Sequence, residues 1–409
     1  MPSRAVKRQK IESGAVFLSK HNAFADWAND ERDIYINGVK PAYLKGRGMG
    51  LVTSRKVCKS DELITVRPHS MIQPDPELFE SSAKISPQAK LAFTLMSMDL
   101  AEDPLYRCCS SVWPDRKDFE GSLFWYDVGE DSKNEPWWEK LPPVVKAAAS
   151  RLLDDFHRDI EALRDMKTAL SDSVKSATFI YYWTIANTRS FAWKPNGQKE
   201  GTMVMCPFLD YMNHCPSETG CTVKVNNSGF TLIANRDYNI NEEILATYGA
   251  HSNDKLLVHY GFTVPDSSDD SISLDAIIMP HLTRSQKQDL EAVGYLGNYS
   301  LTPDTNELCF RTQVALRARC LTSNEWEFFM NSGDDIATDQ DADVRRDLAV
   351  FIQQAATTRA TNEKALQEVK NNLPDSADEK RACFELILQR CDQIESALTQ
   401  FCGINPPLQ

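Results

Sequence analysis

Pro207-Phe208-Leu209-Asp210-Tyr211-Met212-Asn213-His214 is an apolar run that ends in a polar loop. About thirty residues later comes Thr247-Tyr248-Gly249-Ala250-His251-Ser252-Asn253, continuing through Leu256-Leu257 to Tyr260-Gly261-Phe262. Far upstream stands Gly46-Arg47-Gly48-Met49-Gly50. Each stretch alone has a plain reading: a loop capped by asparagine, a tyrosine packed beside a glycine, a hairpin turn. The G-x-G-x-G spacing also fits the nucleotide loop of Rossmann-type folds, where it follows a strand and opens a helix. Here Leu51-Val52-Thr53 and then Leu63-Ile64-Thr65-Val66 follow, and both have strand character. Context therefore excludes the Rossmann loop, and the lack of a following Gly-Lys-Ser/Thr excludes a P-loop.

The other segments supply a frame. A chain of 409 residues predicts roughly two or three domains. Residues 1–15 read as a tail, with a basic run from Arg4 to Lys10 that is either solvated or a weak nuclear signal. Phe17, Phe24 and Trp27 predict a short amphipathic helix over 16–30. Ile34 and Ile36 alternate and the β-rich run 63–66 precedes Pro68, so 33–67 reads as short strands and turns. A helical insertion follows, with Leu91, Leu95 and Met98 on one face and Leu152, Leu153 and Phe156 on another. Asp103-Pro104 and Trp113-Pro114 break it. Strands return at 177–262, where Asn226-Asn227-Ser228-Gly229 is a hairpin turn. Ser267-Ser268-Asp269-Asp270-Ser271 reads as a polar linker, and the remainder as helical. Phe384, Ile387, Cys391, Ile394, Leu398 and Phe401 form the apolar stripe of the last helix.

Composition bounds the function. A net charge of −13 disfavours nucleic acid, whose affinity comes from Lys and Arg on phosphates, and suits a basic protein substrate. No apolar run reaches the ~18 residues of a membrane span, and no apolar leader opens the chain, so neither membrane insertion nor secretion is expected. Eleven cysteines without a C-x-x-C suit a reducing compartment, here cytoplasm or nucleus. Cys215 and Cys221 flank a loop and could form a metal pair, but no cluster of His or Cys lies nearby to complete a site, so no metal is expected.

In this order and spacing the three stretches resemble the SET-domain protein methyltransferases, in particular the branch of the Rubisco lysine methyltransferases and fungal ribosomal-protein lysine methyltransferases. The resemblance covers residues 20–75 and 177–262. It implies an α+β fold: a SET β-fold of short strands with a knot-like crossing, a helical insertion, and an all-α C-terminal lobe. The expected division is a tail at 1–15, a SET domain at 16–265 with its insertion at about 76–176, and a helical substrate-binding domain at 266–409. The cofactor implied is S-adenosyl-L-methionine, lying against the backbone of Arg47, Gly48 and Met49. Arg189 would meet it near its amino-acid end, and Asn213 and His214 would hydrogen-bond it. Tyr248 matches the catalytic tyrosine and Tyr260 a second pocket tyrosine, with the carbonyls of Thr188 and Asp210 orienting the amine. The partner implied is a lysine-bearing, non-histone protein, possibly ribosomal, met by a monomer. Family members often carry an aromatic residue after the Asn-His pair, and none stands between Cys215 and Gly229.

The chemistry fits such residues. Methyl transfer from a sulfonium is an in-line displacement, so alignment is the main demand. The lysine must arrive neutral, although its free pKa is about 10.4. An apolar channel and the nearby sulfonium charge lower it. A tyrosine hydroxyl and backbone carbonyls orient the amine and make weak C–H···O contacts with the methyl. Two other readings stay open. One is transfer to histidine on the same fold. The other is a non-catalytic binding module, against which the presence of Tyr248, Asn213 and His214 counts.

Overall fold

The computed structural model describes residues 14–79, 84–119, 122, 137–168, 170–197, 200–217, 219–332, 341–374 and 377–403. Residues 1–13 of the expected tail lie outside these; its last two positions open the helix Gly14–Asp30. The described residues fall into two compact units. The first draws on 1–133, 149–250 and 374–383, the second on 134–148, 251–373 and 384–409.

Ten short strands build the first unit: β1 (Tyr35–Ile36), β2 (Val39–Leu44), β3 (Gly48–Thr53), β4 (Glu62–Val66), β5 (Ser190–Trp193), β6 (Thr202–Met205), β7 (Asn213–His214), β8 (Thr222–Asn226), β9 (Gly229–Ile233) and β10 (Glu243–Ala246). One sheet has the order β1-β4-β9-β8, a second β2-β3-β10-β7, and β5 and β6 pair by themselves. Pro41 sits in β2, which is an edge strand of its sheet among the described residues, a place that suits a residue without an N–H. Asn227 and Ser228 close the β8–β9 hairpin, with Asn226 opposite Gly229.

Strand β10 organises the second sheet. It pairs with β3 antiparallel, Ile244 opposite Leu51, and with β7 parallel, Leu245 opposite Asn213 and Ala246 opposite His214. Cys215 N–H donates to the Ala246 carbonyl at 3.2 Å, and Cys221 N–H to the Leu245 carbonyl at 2.7 Å. Successive carbonyls of a strand point to opposite sides. Between Cys215 and Cys221 the chain therefore passes from one edge of β10 to the other, which is the knot-like crossing expected. Gly220 makes that passage possible. A Cβ there would lie 2.7 Å from the Leu245 carbonyl oxygen and in collision with Cys215 Sγ.

The helices of the insertion pack on an aromatic core. Phe156, Phe179 and Trp183 are fully buried, with Phe156 and Trp183 edge to face at 5.4 Å. The buried Asp159 carboxylate accepts from Trp183 Nε1 and from Ser86 Oγ, each at 2.9 Å. Ser86 also caps the helix Pro87–Leu100, and Asp103 caps Pro104–Ser110.

The second unit carries a correction. Expected to be all helical, it also contains a three-stranded sheet, β11 (Ile272–Ser273), β12 (Ser300–Thr302) and β13 (Glu307–Leu308). Strands of two or three residues are too short to show a period of two. Its core gathers Leu274, Leu301 and Leu316 with Ile394, Leu398 and Phe401 of the last helix. The polar run 267–271 is not a solvated linker either: Ser267 and Asp270 are buried. Asp270 accepts from the Asn253 N–H at 2.9 Å and from Arg390 Nη1 at 2.7 Å. Arg390, fully buried, also forks onto Asp254 with bonds of 2.9 and 3.0 Å.

Two histidines, His21 buried and His259 partly buried, set the acid behaviour. His21, beside the Tyr211 hydroxyl, is pushed down to about 4 by burial, then by the charges of Lys20 and Arg189. His259 is likewise lowered to about 4 by burial, then by Lys255 and His251. Both begin from an ordinary value of 6.5. Between those values the unfolded chain binds more protons, so stability rises with pH. The expected result is a melting temperature level above about pH 6.5 that falls as the pH drops toward 4. His21→Gln should flatten that slope in a melting series across the window.

Candidate active site

The hairpin of β2 and β3 sets Tyr43 opposite Met49 and Ala42 opposite Gly50. At its tip Gly46 and Gly48 hold φ of +83° and +77°, a region that favours glycine. A Cβ on either would meet nothing within 4 Å, so the backbone of this turn borders open space. Gly50 is glycine for another reason. A Cβ there would lie 2.6 Å from Asn213 Nδ2 and from Leu44 Cδ1. The Asn213 amide nitrogen therefore lies close against β3, and two stretches far apart in sequence meet.

Glu243, the first residue of β10, ties them. Its Oε1 accepts from Asn213 Nδ2 at 3.0 Å and its Oε2 from Arg47 Nη1 at 2.7 Å. His214, buried, accepts at Nδ1 from the Tyr248 N–H at 3.1 Å, so in the neutral ring the proton sits on Nε2. The two rings lie 5.2 Å apart. The half-buried Tyr248 donates its hydroxyl to the Met212 carbonyl at 2.8 Å. Phenol O–H is thereby directed at protein, and its oxygen lone pairs are acceptors toward a donor brought to it.

Asp210 and Arg189 form a second group. Phe208, fully buried, takes φ of +70°, a strained value for a bulky residue, and turns the chain into the 3-10 segment Leu209–Tyr211. Arg189 ends the helix Ser176–Arg189 and donates to Asp210 Oδ2 at 3.1 Å and, more weakly, to the Asp210 carbonyl at 3.5 Å. Burial pushes the Asp210 carboxyl up, and the Arg189 charge and hydrogen bond oppose it. Thr188 donates its hydroxyl back to Thr184 O at 2.8 Å. Its carbonyl lies in the last turn, where the helix supplies no N–H donor to it.

Of the residues singled out in the sequence, Arg47, Gly48, Met49, Asn213, His214 and Tyr248 gather on the β3-β10-β7 sheet and the loop after it. Thr188, Arg189 and Asp210 form the neighbouring group of the same unit. Tyr260 belongs to the second unit, where it ends the helix Asn253–Tyr260 and faces the His251 ring at 6.3 Å. Burial raises its hydroxyl pKa. Much of the segment around it is architecture. Ser252 caps that helix, Asn253 and Asp254 hold Asp270 and Arg390, Leu256 and Leu257 fill the core, and Gly261 closes the helix at φ +75°. Cys221 Sγ lies 3.3 Å from the Tyr238 hydroxyl, and among the described residues no group of three or more His, Cys, Asp or Glu is placed to hold a metal.

Sequence reasoning missed Glu243 and the Met212 carbonyl. Glu243 reads as part of a turn, and its only sequence signal is a carboxylate entering a strand whose next residue, Ile244, is buried.

Gly50→Ala tests the packing. The added Cβ must displace an amide that Glu243 holds in place. The expected outcome is a folded protein whose Asn213–Glu243 bond is lost, at a cost of about 1–3 kcal/mol for a hydrogen bond to a charged group. The measurement is the side-chain amide resonance of Asn213, which should lose its downfield shift.

No family model matches the chain. Sequence relatives are found: the ribosomal lysine N-methyltransferase set11 of Schizosaccharomyces pombe is 28% identical over 47% of this chain and 49% of its own. Ribosomal lysine N-methyltransferase 2 of Saccharomyces cerevisiae is 24% identical over half of each. The chain thus spans about half the length of these two curated relatives. SET domain-containing protein 4 of Mus musculus is 23% identical over 79% of both chains. Among solved structures, Rubisco LSMT bound to sinefungin and monomethyllysine superposes with a TM-score of 0.60 over 93% of both chains at 16% identity. Rubisco LSMT bound to AdoMet gives 0.59 over 94% of this chain and 93% of its own. Sequence relatives and structural neighbours converge on one architecture, and the chain has the fold of the SET domain of Rubisco LSMT.

Proposed function

We propose that this chain is an S-adenosylmethionine-dependent protein-lysine N-methyltransferase acting on a non-histone protein, with ribosomal proteins the first class to test. One observation carries the reading: Gly50, Arg47, Asn213 and Glu243 meet across a single sheet, and His214 of that sheet holds the backbone of Tyr248. The relatives named as ribosomal lysine N-methyltransferases support the substrate class.

The residues present fit the cofactor. The open Gly46–Gly48 turn admits a ligand to backbone contact at Arg47, Gly48 and Met49, and Arg189, Asn213 and His214 supply polar groups to it. When bound, S-adenosylmethionine supplies a methyl group on an electrophilic sulfonium. The Tyr248 oxygen accepts from the incoming amine and orients its lone pair, aided by the carbonyls of Thr188 and Asp210. Assignment of Tyr260 to the pocket rests on the resemblance. No group in this set needs to act as a strong base, because the amine enters neutral. The net charge of −13 favours approach of a basic protein. All eleven cysteines are free thiols, which suits cytoplasm or nucleus, and among the described residues no helix is long and apolar enough to cross a membrane.

The test is incubation with labelled S-adenosylmethionine and size-fractionated extract from cells lacking this protein. A labelled band among ribosomal proteins that yields methyl-lysine on acid hydrolysis is expected. Methyl-histidine would transfer the reading to the histidine branch. Cofactor binding without transfer to any band would leave a binding module.

A further inference from the structure

We infer that Glu243 is a positioning residue for the cofactor. It holds the Asn213 carboxamide so that Oδ1 is presented to the α-ammonium of S-adenosylmethionine. The inference rests on the methyltransferase reading of this site.

The argument begins with the hydrogen-bond chemistry of the two groups. An ionised carboxylate only accepts, whereas a carboxamide donates at one end and accepts at the other. The 3.0 Å contact between Glu243 Oε1 and the Asn213 amide therefore assigns Nδ2 to that side. A flip would set Oδ1 against a carboxylate oxygen, two acceptors without a proton between them. A Cβ on residue 50 would come within 2.6 Å of Nδ2, so the amide nitrogen takes up space that only glycine leaves there. The other end of Asn213 is thus an acceptor by construction. Of the donors on S-adenosylmethionine, the α-ammonium carries the charge, and hydrogen bonds to charged groups are the strong ones. The negative charge behind the amide polarises it and strengthens Oδ1 as an acceptor.

Arg47 completes the device. It binds the second carboxylate oxygen at 2.7 Å, so Glu243 is held from both neighbouring segments, the turn before β3 and strand β7. The Glu243 side chain is 20% exposed, and that of Arg47 53%. The partly covered carboxylate faces Asn213 with one oxygen and the exposed guanidinium with the other. Sequence separation hides the arrangement, since Asn213 and Glu243 stand 30 residues apart and Arg47 and Glu243 196 apart.

The experiment is titration calorimetry on the full chain with two ligands, S-adenosylmethionine and 5′-methylthioadenosine, which lacks the amino-acid end. Glu243→Gln keeps size and an oxygen for Arg47 but can also donate to Asn213, so the amide is no longer held one way. Affinity for S-adenosylmethionine should fall about tenfold to a hundredfold, the worth of one hydrogen bond to a charged group. Affinity for 5′-methylthioadenosine should stay within about twofold. Glu243→Asp keeps the charge but withdraws it by one methylene, and it should repeat the selective loss; it serves also if the glutamine variant does not fold. Equal losses for both ligands, or none for either, would overturn the inference. A wild-type chain that binds neither ligand would instead overturn the methyltransferase reading, and this inference with it.

Discussion

Tyr248→Phe is expected to lower the rate of methyl transfer by ~10²-fold or more, the loss typical of one preorganised polar contact in a water-poor site. The substitution removes a single oxygen. The ring keeps its place beside His214 at 5.2 Å, and the Tyr248 N–H still donates to His214 Nδ1, since that bond is made by backbone. The Met212 carbonyl loses its 2.8 Å donor, which costs about 1 kcal/mol at a half-buried position. Folding and cofactor affinity should therefore change little while turnover collapses. On the proposed reading the rate should still rise toward alkaline pH, because a substrate lysine must lose its proton whatever residue orients it. Single-turnover assays with labelled S-adenosylmethionine separate this from a structural role. A variant with a lower melting temperature and unchanged turnover per folded molecule would show Tyr248 to be a core residue.

Arg390→Met should destabilise the second unit by about 3–5 kcal/mol, the cost of removing one partner from a buried ion cluster. The guanidinium is fully buried and makes a fork of 2.9 and 3.0 Å onto Asp254 and a third bond of 2.7 Å to Asp270. Methionine fills the volume but strands two carboxylates, neither more than 7% exposed. The loss should reach further, since Asp270 also accepts from the Asn253 backbone and side chain, and Asn253 in turn bonds both polar groups of the Val264 backbone. Hydrogen exchange is the measurement. Amides of Asn253–Tyr260 should lose protection first. Adding Asp254→Asn and Asp270→Asn should recover most of it, because the stranded charges are then gone while acceptors remain for Asn253. Unchanged exchange in the single variant would show that the cluster contributes nothing net. Arg390→Lys keeps the charge without the planar fork and should fall between the two.

The legible parts of this protein are those in which cause and effect lie close together along the chain. Gly46 and Gly48 announce a hairpin because left-handed backbone favours glycine, and the β-branching of Ile64, Thr65 and Val66 announces β4. Asp103-Pro104 marks a break, and in the structure a helix starts there, because a capping carboxylate and a residue without an N–H both suit the first turn. The order of the three quoted stretches was enough to point to the SET fold before any distance was known.

Tertiary structure alone decided the rest. Whether Gly50 was a turn glycine or a seat for a side chain depended on Asn213, which arrives from 163 residues away through the β3-β10-β7 pairing. Asp270 looked like part of a solvated linker because its countercharge, Arg390, stands 120 residues later. Glu243 looked like a turn residue for the same reason. A polar side chain takes its meaning from its partner, and local propensity reports on the backbone around it, not on which distant group the fold will place within 3 Å. The polar run 267–271 lies within the second unit, where a buried charge holds Asp270.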